Sequence, residues 1–295
     1  MQASLYAAQM INTKNTPYKN NKEVHFGHII ESYQNPGIKT LIKDSISWRF
    51  AQAPDNGIKF INTLQGAIKK YSKNDDVYKS LRDFYLKIFE DNSLIRENRK
   101  IINRAKALKS VMGNNFKPQS YLDVGCGNAK ITNGLVDAFN IDKKNALGID
   151  IFLYPADNID FAVKQYDGVN LPVGKNSQDF ISLFTVLHHV DNPTQLLKNI
   201  KGALSPKGKL VIRDFDAITP EDKRFNLVMD EMLFKVYDDY PEVPIHERYM
   251  KKSEMVSMLQ GCGLRCEKIV DDTSSDTLKS KNPYNPFYAV FSKNC

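Results

Sequence analysis

The sequence predicts an α/β fold, a doubly wound and mostly parallel sheet that follows an N-terminal helical extension. Two observations carry this prediction. Short apolar runs alternate with amphipathic segments after Tyr121, and the apolar spacing before that residue is helical over 41–115. Strands that alternate with helices are typical of βαβ units in one parallel sheet. Ligands of such sheets bind beyond the carboxyl ends of the strands, where the strand order reverses.

Three regions follow along the chain. Residues 1–40 are rich in Asn, Lys, Tyr and Gln and lack a sustained period, which predicts a loosely ordered polar arm. Residues 41–104 are predicted to form a basic helical extension. The last helix of this region is expected to stop at Gly113, with Pro118 beyond it. Residues 105–295 are predicted to form the ligand-binding domain.

Charge is divided unevenly between the two parts of the chain. Residues 1–120 hold 20 Lys and Arg against 10 Asp and Glu, whereas residues 121–295 hold 21 against 24. The net charges of +10 and −3 sum to the +7 of the whole chain. Such asymmetry indicates either an anionic partner near the basic part or solvated charge on helix faces.

Cysteine usage and hydropathy indicate the compartment. The four cysteines form no CxxC pair, and one of them, Cys126, lies inside a glycine turn. We expect a reduced, intracellular and therefore cytoplasmic protein without a structural metal. No run of about 18 apolar residues is present, so no membrane span is predicted.

The glycine turn of "YLDVGCGNAK", residues 121–130, follows the first predicted strand. Gly125 and Gly127 allow a ligand to approach the backbone closely, and the helix that follows offers free N–H groups. A dinucleotide-binding turn would need a third glycine where Lys130 stands, and no G-K-[ST] follows for a phosphate loop. The turn therefore matches neither the dinucleotide-binding nor the phosphate-loop pattern.

Three carboxylates at predicted strand ends define this ligand further. Asp123 precedes the first glycine and suits an amino group, while Asp150 ends the second strand, where a carboxylate can accept both ribose hydroxyls. Asp167 follows the third strand and suits an exocyclic adenine amine. An amine, a ribose and an adenine without phosphates together describe S-adenosylmethionine.

With these motifs the sequence resembles the class I S-adenosylmethionine-dependent methyltransferases. The resemblance covers about residues 100–295 and rests on "YLDVGCGNAKIT", "GID", "YDGVNLPV", "DFISLFTVLHHV" and "RYMKKSEMVSMLQGCGL" in the expected order. It departs at Ala129, which replaces a frequent third glycine. It implies a seven-stranded sheet and S-adenosyl-L-methionine as the cofactor. The cofactor-binding positions that it implies are Asp123, Gly125, Cys126, Gly127, Asp150, Ile151, Asp167, Gly168 and Phe184.

Catalytic candidates lie beyond the fourth and fifth strands and in a late segment. His188 and His189 follow the fourth strand, Asp214 ends the fifth, and His246 lies in a stretch that resembles an acceptor-side lid. A histidine that titrates near neutrality can act as a general base. In the family that the sequence resembles, however, the His-His pair more often shapes the pocket. Cys126 is interpreted as a small filler of the turn.

The sequence leaves several alternatives for the identity of the methyl acceptor. The stretch after the fourth strand lacks the Asn/Asp-Pro-Pro-Tyr/Phe and Pro-Cys motifs of base-methylating families, which favours a small-molecule acceptor. An RNA acceptor, such as the guanine N7 of a cap, is the alternative, because aromatic residues interleave with the N-terminal charge. A methyltransferase fold without activity that serves as a binding module is the second alternative.

Overall fold

The computed structural model describes residues 28–88, 93–153, 155–238, 248–273 and 282–294. Five helices come first: α1 (Ile29–Ser32), α2 (Pro36–Arg49), α3 (Pro54–Lys70), α4 (Asn74–Ile88) and α5 (Ser93–Met112). Strands and helices then alternate as β1 (Tyr121–Val124), α6 (Lys130–Phe139), β2 (Ala146–Asp150), β3 (Ala162–Gln165), β4 (Gln178–Phe184), α7 (Pro193–Ala203) and β5 (Leu204–Phe215). The described part ends with α8 (Pro220–Met232), α9 (Lys252–Gly261), β6 (Leu264–Asp271) and β7 (Pro286–Lys293).

The seven strands form one sheet in the order β3-β2-β1-β4-β5-β7-β6. All neighbouring pairs from β3 to β5 are parallel, and β7 runs antiparallel to both β5 and β6. The chain leaves β1 in one direction for β2 and β3 and returns on the other side with β4. The predicted doubly wound, mostly parallel seven-stranded sheet is confirmed, and the strand order reverses between β1 and β4.

Both faces of the sheet are covered by helices, because successive side chains of a strand point to opposite faces. Leu122 and Val124 of β1 face a core that includes α7 and α9, whereas Tyr121 faces a core that includes α5 and α6. Strands buried on both faces are apolar along their length, as the short runs of the sequence predicted. No helix within the described ranges is both long and apolar enough to cross a membrane.

The structure corrects the predicted arm over its last residues. Residues 1–27 lie outside the described residues, but α1 and the start of α2 fall within 28–40, and Ile29, Tyr33 and Ile38 are buried there. In the sequence, the start of α2 is marked by an N-cap and not by a long periodic stretch of apolar residues. Asn35 accepts hydrogen bonds from the N–H groups of Gly37 and Ile38, at 2.9 and 3.2 Å, and proline occupies the first helical position.

Helices α1 to α4, called the N-terminal helices below, pack against α8 and the π-helical turn that follows it, Leu233–Asp238. The shared core includes Phe60 and Tyr78 from the first group, and Met229 and Val236 from the second. A buried carboxylate, Glu231, lies at this contact. It accepts hydrogen bonds from the Tyr78 hydroxyl and from the backbone N–H of His28, and it lies 2.7 Å from Nδ1 of His28. The N-terminal helices therefore share one core with α8 and the turn after it, the segment that follows β5.

Replacing Tyr78 by phenylalanine tests this contact. The Tyr78→Phe variant leaves the 1% exposed Glu231 without one donor. An unsatisfied buried polar group costs about 1–3 kcal/mol, so we expect a loss of this size in the free energy of unfolding by urea. Tyr71→Phe, at a partly buried position of the same helical layer, serves as the control and should change stability by less than about 0.5 kcal/mol. Equal losses in the two variants would contradict the assigned role of Tyr78.

Candidate active site

The glycine turn joins the carboxyl ends of β1 and β2 to the start of α6. The N–H groups of Gly125 and Cys126 both donate to the carbonyl of Ile149, at 2.8 and 3.0 Å. Gly125, Gly127 and Ala129 adopt positive φ angles of 74°, 56° and 61°. The turn thus has the left-handed conformations that glycine adopts at little cost, and it leads directly into the N-terminus of a helix.

Gly125 is needed for a second reason, its contact with the loop after β4. A Cβ atom at Gly125 would lie 2.3 Å from Cγ2 of Val186. The turn after β1 and the loop after β4 therefore touch at the point where the strand order reverses. The sequence motifs did not point to the role of Val186, because its contact with Gly125 joins residues about sixty positions apart in the chain.

Cys126 fills a gap behind the turn. Its sulfur occupies the space beside Gly148 of β2, where a Cβ atom would lie only 2.9 Å away. Burial raises the pKa of the Cys126 thiol, and the negative charges of Asp123 and Asp150 add to this effect. The thiol therefore stays protonated at neutral pH, which agrees with its interpretation as a filler and not a nucleophile.

Asp150 lies where the sequence placed it, at the end of β2 facing the glycine turn. Its Oδ2 accepts a hydrogen bond from the N–H of Gly127 at 2.8 Å, and its Oδ1 accepts one from Phe152 at 3.1 Å. Burial raises its pKa, and these backbone hydrogen bonds oppose the rise. A carboxylate has about four lone-pair sites, so each oxygen can still accept a ribose hydroxyl.

Asp123 is buried, and both of its oxygens already have partners. The hydroxyls of Thr132 and Ser182 donate to them at 2.5 Å each, which ties the first turn of α6 and β4 to β1. Burial raises the pKa of Asp123 to about 6, and the two hydroxyl hydrogen bonds oppose this rise. A direct contact with a ligand amine stays a prediction, and the structure adds a role in positioning the turn.

Asp167 is exposed and forms a tight turn after β3. Its carboxylate accepts hydrogen bonds from the N–H groups of Val169 and Asn170 and from the Asn170 side chain. These bonds, chiefly the one from the backbone of Asn170, lower its pKa, so it is ionised at neutral pH. In the same turn Gly168 lies beside Ile151, since a Cβ atom there would be 3.6 Å from Cγ2 of Ile151. The structure thus brings together two sequence candidates from different strand ends.

Phe184 shares a buried cluster with Cys126 of the glycine turn. Its ring is buried against Tyr288 on the face that carries α5 and α6, with the ring centroids 6.2 Å apart. Its role in binding the cofactor stays a prediction, and Val186 is the residue after β4 that reaches the turn.

A charged residue that sequence reasoning missed is Arg104, on α5. Its side chain is half-buried, and burial together with the charge of Arg213 lowers its pKa to about 10. The charges of Asp123 and Asp272 oppose the decrease. Within the described part of the chain, no carboxylate oxygen lies within 4 Å of its guanidinium. An arginine on a helix before the first strand has no local motif, so no sequence signal could have identified it.

His188 and Asp214, two catalytic candidates, form a buried ion pair. Nδ1 of His188 lies 2.6 Å from Oδ1 of Asp214, and both side chains are at most 3% exposed. The neighbouring Arg213 pairs elsewhere, since its Nε donates to Asp272 at 2.6 Å.

Asp230 of α8 completes this group. Its Oδ2 lies 3.3 Å from Nε2 of His188, 3.6 Å from Nε2 of His189, and accepts a hydrogen bond from the Tyr249 hydroxyl. Below, the His–Asp cluster means His188, His189, Asp214, Asp230 and Tyr249. Sequence reasoning missed Asp230, since nothing in the α8 segment marks one aspartate above its neighbours. His246 lies outside the described residues.

The charge state of His188 argues against its role as a general base. Burial disfavours the charged imidazolium, but the negative charges of Asp214 and Asp230 outweigh this and raise the pKa of His188 to about 10. The imidazole therefore carries a proton at neutral pH. A buried histidine paired with two carboxylates is suited to positioning the loop after β4, and its role as a general base stays a prediction.

The sequence profile of a family described as "Methyltransferase domain" matches residues 92–269, more than half of the chain. The chain belongs to this methyltransferase family. It is a class I S-adenosylmethionine-dependent methyltransferase, and S-adenosylmethionine is its cofactor, as the sequence predicted. The domain bounds inferred from the sequence stay a prediction.

Solved structures show weaker similarities. A SAM-dependent methyltransferase from Aquifex aeolicus is 18% identical, with 70% of this chain and 95% of that chain covered and a TM-score of 0.47. A methyltransferase from Mesorhizobium loti is 14% identical, with 63% and 97% covered and a TM-score of 0.49. A 1,6-didemethyltoxoflavin-N1-methyltransferase from Burkholderia thailandensis is 16% identical, with 73% and 88% covered and a TM-score of 0.47. No curated protein matches the chain.

An alanine at Gly125 tests the contact between the turn and Val186. We expect Gly125→Ala to lower the free energy of unfolding by about 1–3 kcal/mol, because of its positive φ and the overlap with Val186, and to weaken cofactor binding in calorimetry. Gly66→Ala, in α3 with open space around it, is the control and should stabilise by about 0.4–1 kcal/mol. Adding Val186→Ala should restore part of the loss. The contact would be refuted by a double variant no better than Gly125→Ala alone.

The raised pKa of Asp123 predicts a pH dependence of stability. The unfolded pKa is about 3.9, so between that value and about 6 the native state binds more protons than the unfolded state. Stability from this group therefore falls as pH rises through that window, by about 3 kcal/mol in total. Asp123→Asn removes the decline. The difference in unfolding free energy between this variant and the native sequence, measured from pH 4 to pH 7, should grow with pH; a flat difference would contradict the assignment.

Proposed function

We propose that the protein transfers a methyl group from S-adenosylmethionine to a small-molecule acceptor. The observation that carries the proposal is the burial of three of the N-terminal aromatic residues. Phe50, Phe60 and Tyr78 are at most 2% exposed and pack against α8. They are core residues and therefore cannot stack on the bases of an RNA. The N-terminal helices are thus better suited to cover an acceptor beside the sheet than to bind a polynucleotide.

The residues at the turn fit the cofactor group by group. Asp150 is proposed to accept the ribose hydroxyls and Asp167 the adenine amine, with Ile151 and Gly168 beside the base. The proposed partner of the carboxylate in the methionine part of S-adenosylmethionine is Arg104. Its guanidinium has no ion pair in the described structure, and its charge lies within electrostatic range of Asp123. The ribose, the adenine and the carboxylate of the ligand thus each have a proposed partner of matching charge or hydrogen-bonding type.

The chemistry places modest demands on the protein. When bound, S-adenosylmethionine supplies a sulfonium methyl group for in-line displacement, with a thioether as leaving group. Holding the acceptor in line can supply much of the rate. His188 is proposed to keep the loop after β4 in place through its pairing with Asp214. No general base is assigned.

The cofactor part of the proposal is tested by thermal unfolding. Saturating S-adenosylmethionine should raise the melting temperature, since a ligand that binds only the native state stabilises it. Asp150→Ala should abolish most of the rise, and Asp191→Ala, an exposed aspartate after β4, should keep it. An unchanged melting temperature at millimolar cofactor would argue against the cofactor site.

The acceptor is tested with S-adenosylmethionine labelled in its methyl group. Incubation with separate pools of small molecules, RNA and protein should give label in the small-molecule pool. Label in RNA, together with a steep loss of RNA binding as salt increases, would support the RNA alternative. Cofactor binding without label in any pool would support the binding-module alternative.

Replacing Arg104 tests the proposed carboxylate contact. A hydrogen bond between charged groups contributes about 1.5–3 kcal/mol, so we expect Arg104→Gln to raise the Kd for S-adenosylmethionine roughly 10–100-fold. The Kd for methylthioadenosine, which has no amino-acid part, should change little. Lys106→Gln removes one positive charge from the exposed side of the same helix and is the matched control. Equal effects on both ligands would refute the contact.

A further inference from the structure

The His–Asp cluster has the composition and spacing of a metal site. One nitrogen each of His188 and His189 and one oxygen of Asp230 all lie within 4.8 Å of one another. Two of the three separations are 3.3 and 3.6 Å. Ligands about 2.1 Å from a tetrahedral metal lie roughly 3.4 Å apart, so these atoms need only small movements to bind one ion.

Two of the three atoms already have the outer hydrogen bonds that orient metal ligands. Asp214 binds Nδ1 of His188 and so directs Nε2 toward Asp230, and the Tyr249 hydroxyl donates to Oδ2 of Asp230. A carboxylate on the far nitrogen of a histidine is the common arrangement at zinc sites, where it fixes the ring and its tautomer.

An unpartnered buried atom points into the same space. Nε2 of His188 is buried and lies 3.3 Å from Asp230 without meeting hydrogen-bond geometry, and the His188 side chain is 1% exposed. Such an atom is costly to leave without a partner. A cation bound by Nε2 and Asp230 would satisfy it.

We propose that His188, His189 and Asp230 bind one divalent first-row transition metal ion, with Asp214 and Tyr249 as the outer hydrogen-bonding partners. Two imidazoles favour zinc, iron or cobalt over magnesium and calcium, which prefer oxygen ligands. Three protein ligands leave a position open. His189 is 22% exposed while the other two side chains are at most 8% exposed, so the open position faces the side of His189.

The ion would be bound by two neutral imidazoles, because a histidine ligand must be neutral. It would lie at the carboxyl ends of β4 and β5, on the side where α8 meets the sheet. From there it could polarise an acceptor oxygen as a Lewis acid. The site is defined by protein atoms alone and does not depend on the identity of the acceptor.

The test uses the full chain without an affinity tag, freed of metal by dialysis against a chelator. Zinc is titrated in competition with a chromophoric chelator, and cobalt(II) is added separately, because its visible absorption reports low-coordinate binding. We expect one ion per chain and a cobalt band. His189→Gln and Asp230→Asn should each raise the Kd for zinc at least about tenfold and remove the band.

His28→Gln is the matched control. His28 is 20% exposed, close to the 22% of His189, and faces Glu231, the neighbour of Asp230 in sequence. This variant should bind zinc like the native sequence. In every variant, the rise in melting temperature with S-adenosylmethionine reports folding independently of the metal, so failure of one proposal is distinct from failure of the other.

Two results would overturn the proposal. Stoichiometric binding that is equally tight in His189→Gln, Asp230→Asn and the native sequence would mean adventitious binding elsewhere on the chain. No stoichiometric zinc binding and no cobalt band in the native sequence would mean that the cluster is only an ion-pair network.

Discussion

Two adjacent buried carboxylates on α8 hold the molecule together around its site. Consecutive helical residues point about 100° apart, so Asp230 and Glu231 face different neighbours. Glu231 accepts hydrogen bonds from Tyr78 and His28 of the N-terminal layer, while Asp230 faces His188 and Tyr249. Buried carboxylates are costly unless they are paired, so each fixes its partners in place. The position of the N-terminal helices and that of the loop after β4 are thereby set by the same helix.

This arrangement explains why an N-terminal extension belongs to the functional unit. The glycine turn and Asp150 at the end of β2 need only the sheet and α6. The part of the site beyond β4 and β5, where the acceptor is proposed to bind, needs α8 in contrast. The N-terminal helices pack against the other side of α8. The basic charge of the extension is carried outside a layer in which Phe50, Phe60 and Tyr78 are core residues.

The sequence predicted local features well and long-range contacts poorly. The helix at Lys130–Phe139 and the strands around it follow from periodicity, and the cofactor follows from the motif resemblance. The contact of Asp123 with the ligand stays a prediction, and no local pattern indicated that the hydroxyls of Thr132 and Ser182 also bind it. Arg104, Val186 and Asp230 gave no local signal, because each acts through residues distant in the chain. The helix that starts at Pro36 was missed, since Asn35 and the proline mark a helix start without a long apolar stripe.

S-adenosylmethionine is proposed to bind at the glycine turn, where the strand order reverses. Amide hydrogen exchange with and without S-adenosylhomocysteine, the demethylated cofactor, tests this most directly. We expect slower exchange with the ligand in peptides that contain 125–130, 150–153 and 167–170, and unchanged exchange in α3. Protection that is absent from the first two peptides, in a protein that still binds the ligand, would contradict binding at this turn.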